Sequence, residues 1–220
     1  MAALDIPRFT PIEAIVGPMG AAKTAELLAR AELHSFRNRD HVVAVTHLND
    51  QARVGPNIIK SRRGKKLGAH SLETSDQVHS LLVREGLYQP NGRTRVLLID
   101  EGQFFDEDLA RLAVNCQKAG IIVYYSGLDL YFNGEPWETS RAVLAVASKV
   151  TKLVARCTFR KCPEYATRTQ MLIDRQPAPY NYHNRVVGDD RGSVVPKLKY
   201  TARCLNHWEV PGKPVRFSPD

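Results

Sequence analysis

The stretch from residue 12 to residue 24 constrains this chain more than any other. An apolar run, IEAIVG at 12–17, passes through Gly17-Pro18-Met19-Gly20-Ala21-Ala22 into Lys23-Thr24 and then into an amphipathic segment reaching Ser35. A glycine- and alanine-rich turn between a buried strand and a helix is the setting a phosphate-binding loop needs. Its backbone N–H groups and the helix N-terminus together make an anion site. Lys23 would reach the β- and γ-phosphates, and the Thr24 hydroxyl would hold Mg²⁺. The usual pattern is GxxxxGK[ST], and here Ala22 stands where the second glycine belongs. That glycine lets the backbone approach phosphate without a Cβ in the way. A helix merely beginning after a Gly-Pro turn is the plainer alternative.

The rest of the chain repeats this alternation. Strands are expected at His41–Thr46, Arg95–Ile99 and Ile121–Gly127, and helices at Thr74–Arg84, Asp106–Ala119 and Thr139–Ser148, with Gly120 as a helix-ending glycine. Asn49–Leu67 is polar and basic and reads as a mobile loop. The pattern implies a P-loop-like α/β domain, a mostly parallel sheet with helices on both faces. It stops near Lys152. Beyond Cys157 the chain is rich in Pro, Tyr, Cys and Arg without helical period, and reads as a small separate lobe. The expected division is an N-terminal extension (1–11), an α/β domain (12–152), a small separate lobe (153–212) and a tail (213–220).

Val96-Leu-Leu-Ile-Asp-Glu101 is an apolar strand ending in two carboxylates. At the C-terminal edge of a parallel strand they would face the ligand crevice of an α/β sheet. Asp100 is placed to bind Mg²⁺, and Glu101 to accept the proton of an attacking hydroxyl. An exposed acidic turn after a core strand is the alternative, and the loop at 17–24 weighs against it.

Cys157-x4-Cys162, then 41 residues, then Cys204-x2-His207 is a set of two short ligand pairs. Tetrahedral zinc takes three cysteines and a histidine, and four protein ligands leave no open position, so the metal would be structural. Cys116 is expected simply to be buried, and His183 is a weaker spare ligand. Four cysteines in 220 residues do not make a disulfide scaffold.

The formal charge of +8 invites a nucleic-acid reading. The excess is concentrated in Lys60–Lys66 and Thr151–Lys161, without a nucleic-acid-binding motif, and suits a face that attracts phosphorylated small molecules. No nucleic-acid partner is expected. No stretch approaches the roughly 18 apolar residues of a membrane helix, and the first residues, with Asp5 and two prolines, do not read as a signal peptide. A cytoplasmic location without a membrane partner is expected.

DEGQFF (100–105), GLDLYFNGEPW (127–137) and the Gly-Pro-Met loop (17–19), in this order and spacing, resemble type II thymidine kinases, over residues 12–208. The resemblance implies transfer of the ATP γ-phosphoryl group, with Mg²⁺, to the thymidine 5′-hydroxyl. It makes Glu101 the general base, assigns Lys23 and Thr24 to the ATP phosphates and Mg²⁺, and makes the zinc structural. It places Met19, Leu128, Phe132 and Trp137 around thymine, with Trp137 where the family usually has Phe. Thr169 falls in the ATRTQ stretch after the first cysteine pair, Val186, Val187 and Gly188 in a turn leading to the base-closing loop, and Tyr200 in that loop. A homotetramer and feedback inhibition by dTTP are implied likewise.

The departures are Ala22, the x4 spacing of the first cysteine pair where the family has x2, a longer 188–200 segment with Pro196, and Asp50-Gln-Ala-Arg53 where the family has Asp-x-Arg. Either Arg53 still supports the phosphates through a locally different loop, or that role has moved. Deoxyuridine or a modified pyrimidine nucleoside as acceptor, or a catalytically weakened nucleotide-binding protein, remain as alternatives.

Overall fold

The computed structural model describes residues 10–35, 40–50, 55–182 and 197–215. In chain order the elements are β1 (Ile12–Val16), α1 (Lys23–Ser35), β2 (His41–His47), β3 (Ile58–Lys60), β4 (Lys66–Gly68), β5 (His70–Leu72), α2 (Ser75–Arg84), β6 (Arg95–Asp100), α3 (Asp108–Lys118), β7 (Ile121–Gly127), α4 (Glu138–Val146), β8 (Lys149–Lys152), β9 (Ala155–Arg156), β10 (Tyr165–Ala166), β11 (Arg168–Ile173), β12 (Gln176–Pro177) and β13 (Leu198–Arg203).

Six strands form one sheet in the order β5-β2-β6-β7-β1-β8, and every neighbouring pair is parallel. Parallel strands need covering on both faces, and the side-chain alternation supplies two cores. Ile12, Ala14, Val16, Leu97, Ile99, Val123 and Tyr125 face a core shared with α2, α3 and α4. Ile15, Ala44, Val96, Leu98 and Tyr124 face the other, which is closed by Leu27, Leu28 and Ala31 of α1. This is the period of two expected of strands buried on both faces. The helices obey their own period: Val78, Leu81 and Leu82 are the buried stripe of α2, whose N-cap Thr74 hydroxyl accepts from Gln77 N–H at 3.3 Å.

The helix predicted from Asp106 begins at Asp108, because Asp106 instead accepts hydrogen bonds from the Ser75 N–H (2.8 Å) and hydroxyl (2.5 Å). The expectation of a mobile loop over Asn49–Leu67 is corrected. A 3-10 turn covers Leu48–Asp50, and β3 and β4 pair antiparallel as a hairpin. Ile59, fully buried against the α1-side core, holds the hairpin to the sheet. Residues 51–54 lie outside the described residues, and so does Arg53.

After β8 the chain passes close to the loop 17–24: a Cβ on Gly17 would lie 2.3 Å from the Leu153 carbonyl oxygen, so only glycine fits there. The remaining strands make small antiparallel sheets, β9 with β10 and β12-β11-β13. The apolar material here is slight. One cluster joins Ala155, Cys157, Ala166, Ala202 and Cys204 with Ala21 of the loop 17–24, and another joins Phe132, Met171 and Ala178.

Candidate active site

The sheet places three strand ends side by side. Val16 of β1 is registered with Gly127 of β7, and Ile99 of β6 with Tyr125 of β7. The segments leaving these strands therefore converge on the C-terminal edge of the sheet, where ligands of such sheets bind. They are the loop 17–24, the acidic pair Asp100–Glu101, and Leu128.

A cleft of about 290 Å³ opens there. Met19, Gly20, Ala22, Lys23 and Thr24 line one side, and Glu101, Phe104 and Leu128 the other. The Lys23 ammonium donates to the Pro18 carbonyl at 2.9 Å, closing the loop on itself. Burial lowers its pKa, against the attraction of Glu101, Asp100 and Asp129. Ala22, where a glycine is usual, takes φ +65°. The loop thus keeps the left-handed turn a glycine would give it, at a cost of roughly 1–2 kcal/mol for a residue with a Cβ.

Asp100 is 1% exposed. Its Oδ1 accepts from Ser126 Oγ at 2.8 Å and from Thr24 Oγ1 at 3.4 Å. Burial, reinforced by the adjacent Glu101, pushes its pKa up to about 7. Its Oδ2 is buried and accepts no hydrogen bond among the described residues. A buried carboxylate oxygen without a donor, beside a hydroxyl at a helix start, suits a hard divalent cation. The donor set fits Mg²⁺.

Glu101 itself sits at φ +50°, in the left-handed region, an arrangement that functional sites hold at an energetic cost. Gln103 orients it: Gln103 Nε2 donates to Glu101 Oε2 at 2.8 Å, and Gln103 Oε1 accepts from the Leu128 N–H at 3.0 Å. Gly102 makes room for this turn, since a Cβ there would fall 2.2 Å from the Tyr125 ring. No role could be read for Gln103 or Ser126 from the sequence, because each depends on the register of β6 against β7. DEGQFF contained Gln103, but its residue type carries no signal of orientation.

The residues expected around the nucleoside divide into three places. Met19 and Leu128 line the main cleft. Thr169, 2% exposed on β11, accepts from the Met19 N–H at 3.0 Å and so fixes the loop to the C-terminal strands. Trp137 stacks on Tyr131, ring centroids 3.7 Å apart, and meets Phe104 edge-on at 5.4 Å. It borders a neighbouring cavity of about 480 Å³, which shares Asn49 and Phe104 with the main cleft. Phe132 packs instead against Met171 and Ala178, with Tyr182 and Tyr200 beside them. Burial, with Tyr182 adding to it, raises the Tyr200 phenol to about 12. Val186, Val187, Gly188, Pro196 and His183 lie outside the described residues.

The second cluster is the set Cys157, Cys162, Cys204 and His207, whose ligand atoms all lie within 4.8 Å of one another. Cys162 Sγ is 3.9 Å from Cys204 Sγ, and His207 Nδ1 is 3.2 Å from Cys204 Sγ and 3.8 Å from Cys157 Sγ. A tetrahedral ion with metal–sulfur bonds of about 2.3 Å sets its sulfurs roughly 3.8 Å apart, so this group could hold one. Burial raises the Cys157 thiol, but hydrogen bonds with the backbone at Cys204 and Phe159 and with the Cys204 and Cys162 thiols together outweigh it and bring it to about 6. The His207 ring stacks on Phe159 at 4.2 Å. The next residue, Trp208, donates its indole N–H to the Phe132 carbonyl at 2.9 Å. Cys116, by contrast, is fully buried in the main core beside Tyr88, and burial raises its thiol to about 11.

Comparison with known proteins gives the same answer along nearly the whole chain. A family model described as Thymidine kinase matches residues 10–208. The thymidine kinase of Mycoplasmoides gallisepticum is 32% identical over 204 residues, 93% of this chain and 83% of that protein. That of Mycoplasma mycoides subsp. mycoides is 35% identical over 204 residues, 93% of this chain and 91% of its own. That of Pyrobaculum aerophilum is 34% identical over 197 residues, covering 90% of this chain and 97% of that protein.

Proposed function

The chain belongs to the thymidine kinase family, whose function is the phosphorylation of thymidine, and from that premise we propose how its residues divide the work. The observation that carries the assignment is the convergence of Lys23, Thr24, Asp100 and Glu101 at the C-terminal edge of the sheet, with Thr24 and Asp100 in contact and Gln103 holding Glu101.

The 17–24 loop, Gly17 through Thr24, receives the ATP triphosphate on its backbone N–H groups, with Lys23 on the β- and γ-phosphates. Thr24 and Asp100 are the residues that would hold Mg²⁺, which when bound neutralises phosphate charge. Glu101 accepts the proton of the thymidine 5′-hydroxyl as that oxygen bonds to the γ-phosphorus and the bond to the bridging oxygen of ADP breaks. Most of the acceleration comes from positioning and from charge stabilisation. Met19, Leu128, Phe132, Trp137, Thr169 and Tyr200 shape the acceptor side. Residues 12–152 then act as the donor-binding unit, and residues 153–212 as the unit that covers the nucleoside. The Cys157–Cys162–Cys204–His207 set holds zinc in a closed, structural site.

Family membership supports further parts of the proposal: a homotetramer, feedback inhibition by dTTP, and a cytoplasmic setting. Among the described residues no helix is long and apolar enough to cross a membrane.

Glu101→Gln tests the mechanism. Loss of the base should lower kcat by about 10²–10⁴-fold while ATP binding, measured by calorimetry, stays near that of the unmutated chain. Near-normal turnover would sink the role given to Glu101.

A further inference from the structure

The β3–β4 hairpin brings cations to the donor cleft. Its tip is a tight turn in which the Gly64 N–H donates to the Ser61 carbonyl at 2.9 Å, and Gly64 takes φ +90°. The Ser61 N–H donates to the Lys65 carbonyl at 2.9 Å, and the Ser61 hydroxyl accepts from the Lys65 N–H at 3.1 Å. Arg62 and Arg63 are the two residues between. The turn is fixed from three sides. Ile59 is buried in the core beneath α1, Asn57 and Ser71 exchange hydrogen bonds of 2.9 and 3.2 Å, and Lys65 pairs with Glu32 of α1. The tip is therefore held relative to α1, the helix that opens at Lys23.

Lys60, Ser61, Arg62 and Arg63 line the same cleft as Gly20, Lys23, Thr24 and Glu101. Arg62 closely approaches the loop, since a Cβ on Gly20 would lie 3.5 Å from its Nη1. Its charge is also felt by the Lys23 ammonium. A donor triphosphate brings several negative charges into a cleft that already contains Asp50 and Glu101 and borders Asp100. Lys23, whose charged form burial disfavours, is a thin counterweight. A guanidinium keeps its charge under all conditions and presents a planar fork that fits two phosphate oxygens.

We propose that Arg62 is a further catalytic residue, contacting the transferring γ-phosphoryl group of a nucleoside triphosphate held in the 17–24 loop, with Lys60 and Arg63 adding charge around it. The proposal rests on the thymidine kinase reading of this cleft. Arg62 forms no covalent bond. The γ-phosphorus leaves the bridging oxygen, whose electron pair stays on ADP, and bonds the nucleoside O5′, whose proton passes to Glu101. Arg62 stabilises the negative charge on the oxygens that move with the phosphorus. This is the role the sequence leaves open between Arg53 and another site.

The test uses the full chain with Mg²⁺ and compares Arg62→Ala and Arg62→Lys with the unmutated protein, in steady-state kinetics and in calorimetric binding of ATP and ADP. Arg62→Ala should lower kcat on the order of 10³-fold and weaken ATP binding, while ADP binding and the thymidine KM stay unchanged. Arg62→Lys should recover part of the ATP affinity but little of kcat, because an ammonium lacks the fork. Normal kcat in Arg62→Ala, or equal weakening of ATP and ADP, would overturn the proposal. If the unmutated chain turns over no thymidine, the underlying reading falls, whereas an unaltered preference for ATP over ADP in Arg62→Ala would count against Arg62 alone.

Discussion

The six-stranded sheet and the Cys/His region are built from different materials. The sheet is filled on both faces by large aliphatic side chains, with Ile12, Leu27, Leu97, Leu98 and Ile99 among its fully buried residues. The packed cluster around Cys157 and Cys204 is mostly alanine, and its strands β9 and β10 are two residues long. Burial of a Leu or Ile stabilises by about 1.5–3 kcal/mol, and an alanine by far less. The sheet therefore has a core of its own, while the other region has the donor atoms for a metal where its core would be. The side chains around the cleft divide along the same line. Lys23, Thr24, Asp100 and Glu101 stand on the sheet's edge, whereas the wall containing Phe132 is held by Trp208, next to His207. Gly134 beside that wall accommodates the Trp208 ring, which a Cβ would approach to 2.8 Å.

The largest expected effect comes from removing one ligand. Cys204→Ser should open the strands around the cluster, because structural zinc is worth on the order of 10 kcal/mol in small zinc-binding peptides. Hydrogen exchange should then rise over Leu198–Arg203 and remain slow over Arg95–Asp100 and Ile121–Gly127. Equal exchange across both regions would break the comparison.

Acid should separate the regions in the same order. Metal affinity falls as ligands protonate, so the cluster should release its ion in mild acid. The sheet holds a buried carboxylate, Glu13, paired with Arg30 at 3.0 Å and Lys149 at 3.1 Å. Burial raises its pKa, but hydrogen bonds from Arg30, Lys149 and Thr151 outweigh burial and leave it below its usual 4.5. The unfolded chain then binds the proton more readily, so this stabilisation is present above about pH 4.5 and is lost as the pH falls through the folded value. A circular-dichroism titration alongside a zinc-indicator assay should show zinc release at a higher pH than the loss of helix signal. Simultaneous loss would contradict the separation.

Much of the sheet was legible in the sequence because Ile12–Val16, Arg95–Asp100 and Ile121–Gly127 are mainly apolar runs close to glycines, and the pairing of Thr24 with Asp100 follows from the strand order such motifs require. The hairpin at 58–68 was hidden by its basic composition, in which Ile59 alone is a fully buried anchor. β8 was hidden because it is an edge strand, with Lys149, Val150 and Lys152 exposed. The Cys/His set was legible from spacing. The contacts of Gln103 and Trp208 were not, since each reaches a partner set by tertiary register.

Ala22→Gly should give the smallest effect. The loop already holds the left-handed turn, so relief of strain, partly offset by the freedom glycine adds to the unfolded chain, should stabilise by at most about 1 kcal/mol. Thermal unfolding with and without ATP reads it. A loss of stability would show that the alanine methyl packs usefully.

The most direct test of the division is equilibrium binding of a non-hydrolysable ATP analogue and of thymidine, each to native and to chelator-stripped protein. Thymidine binding should be lost on stripping. The ATP analogue should weaken only modestly, through the contacts of Met19 with Thr169 and of Ala21 with the cysteine cluster. Equal loss of both ligands, or thymidine binding that survives without the metal, would contradict the account.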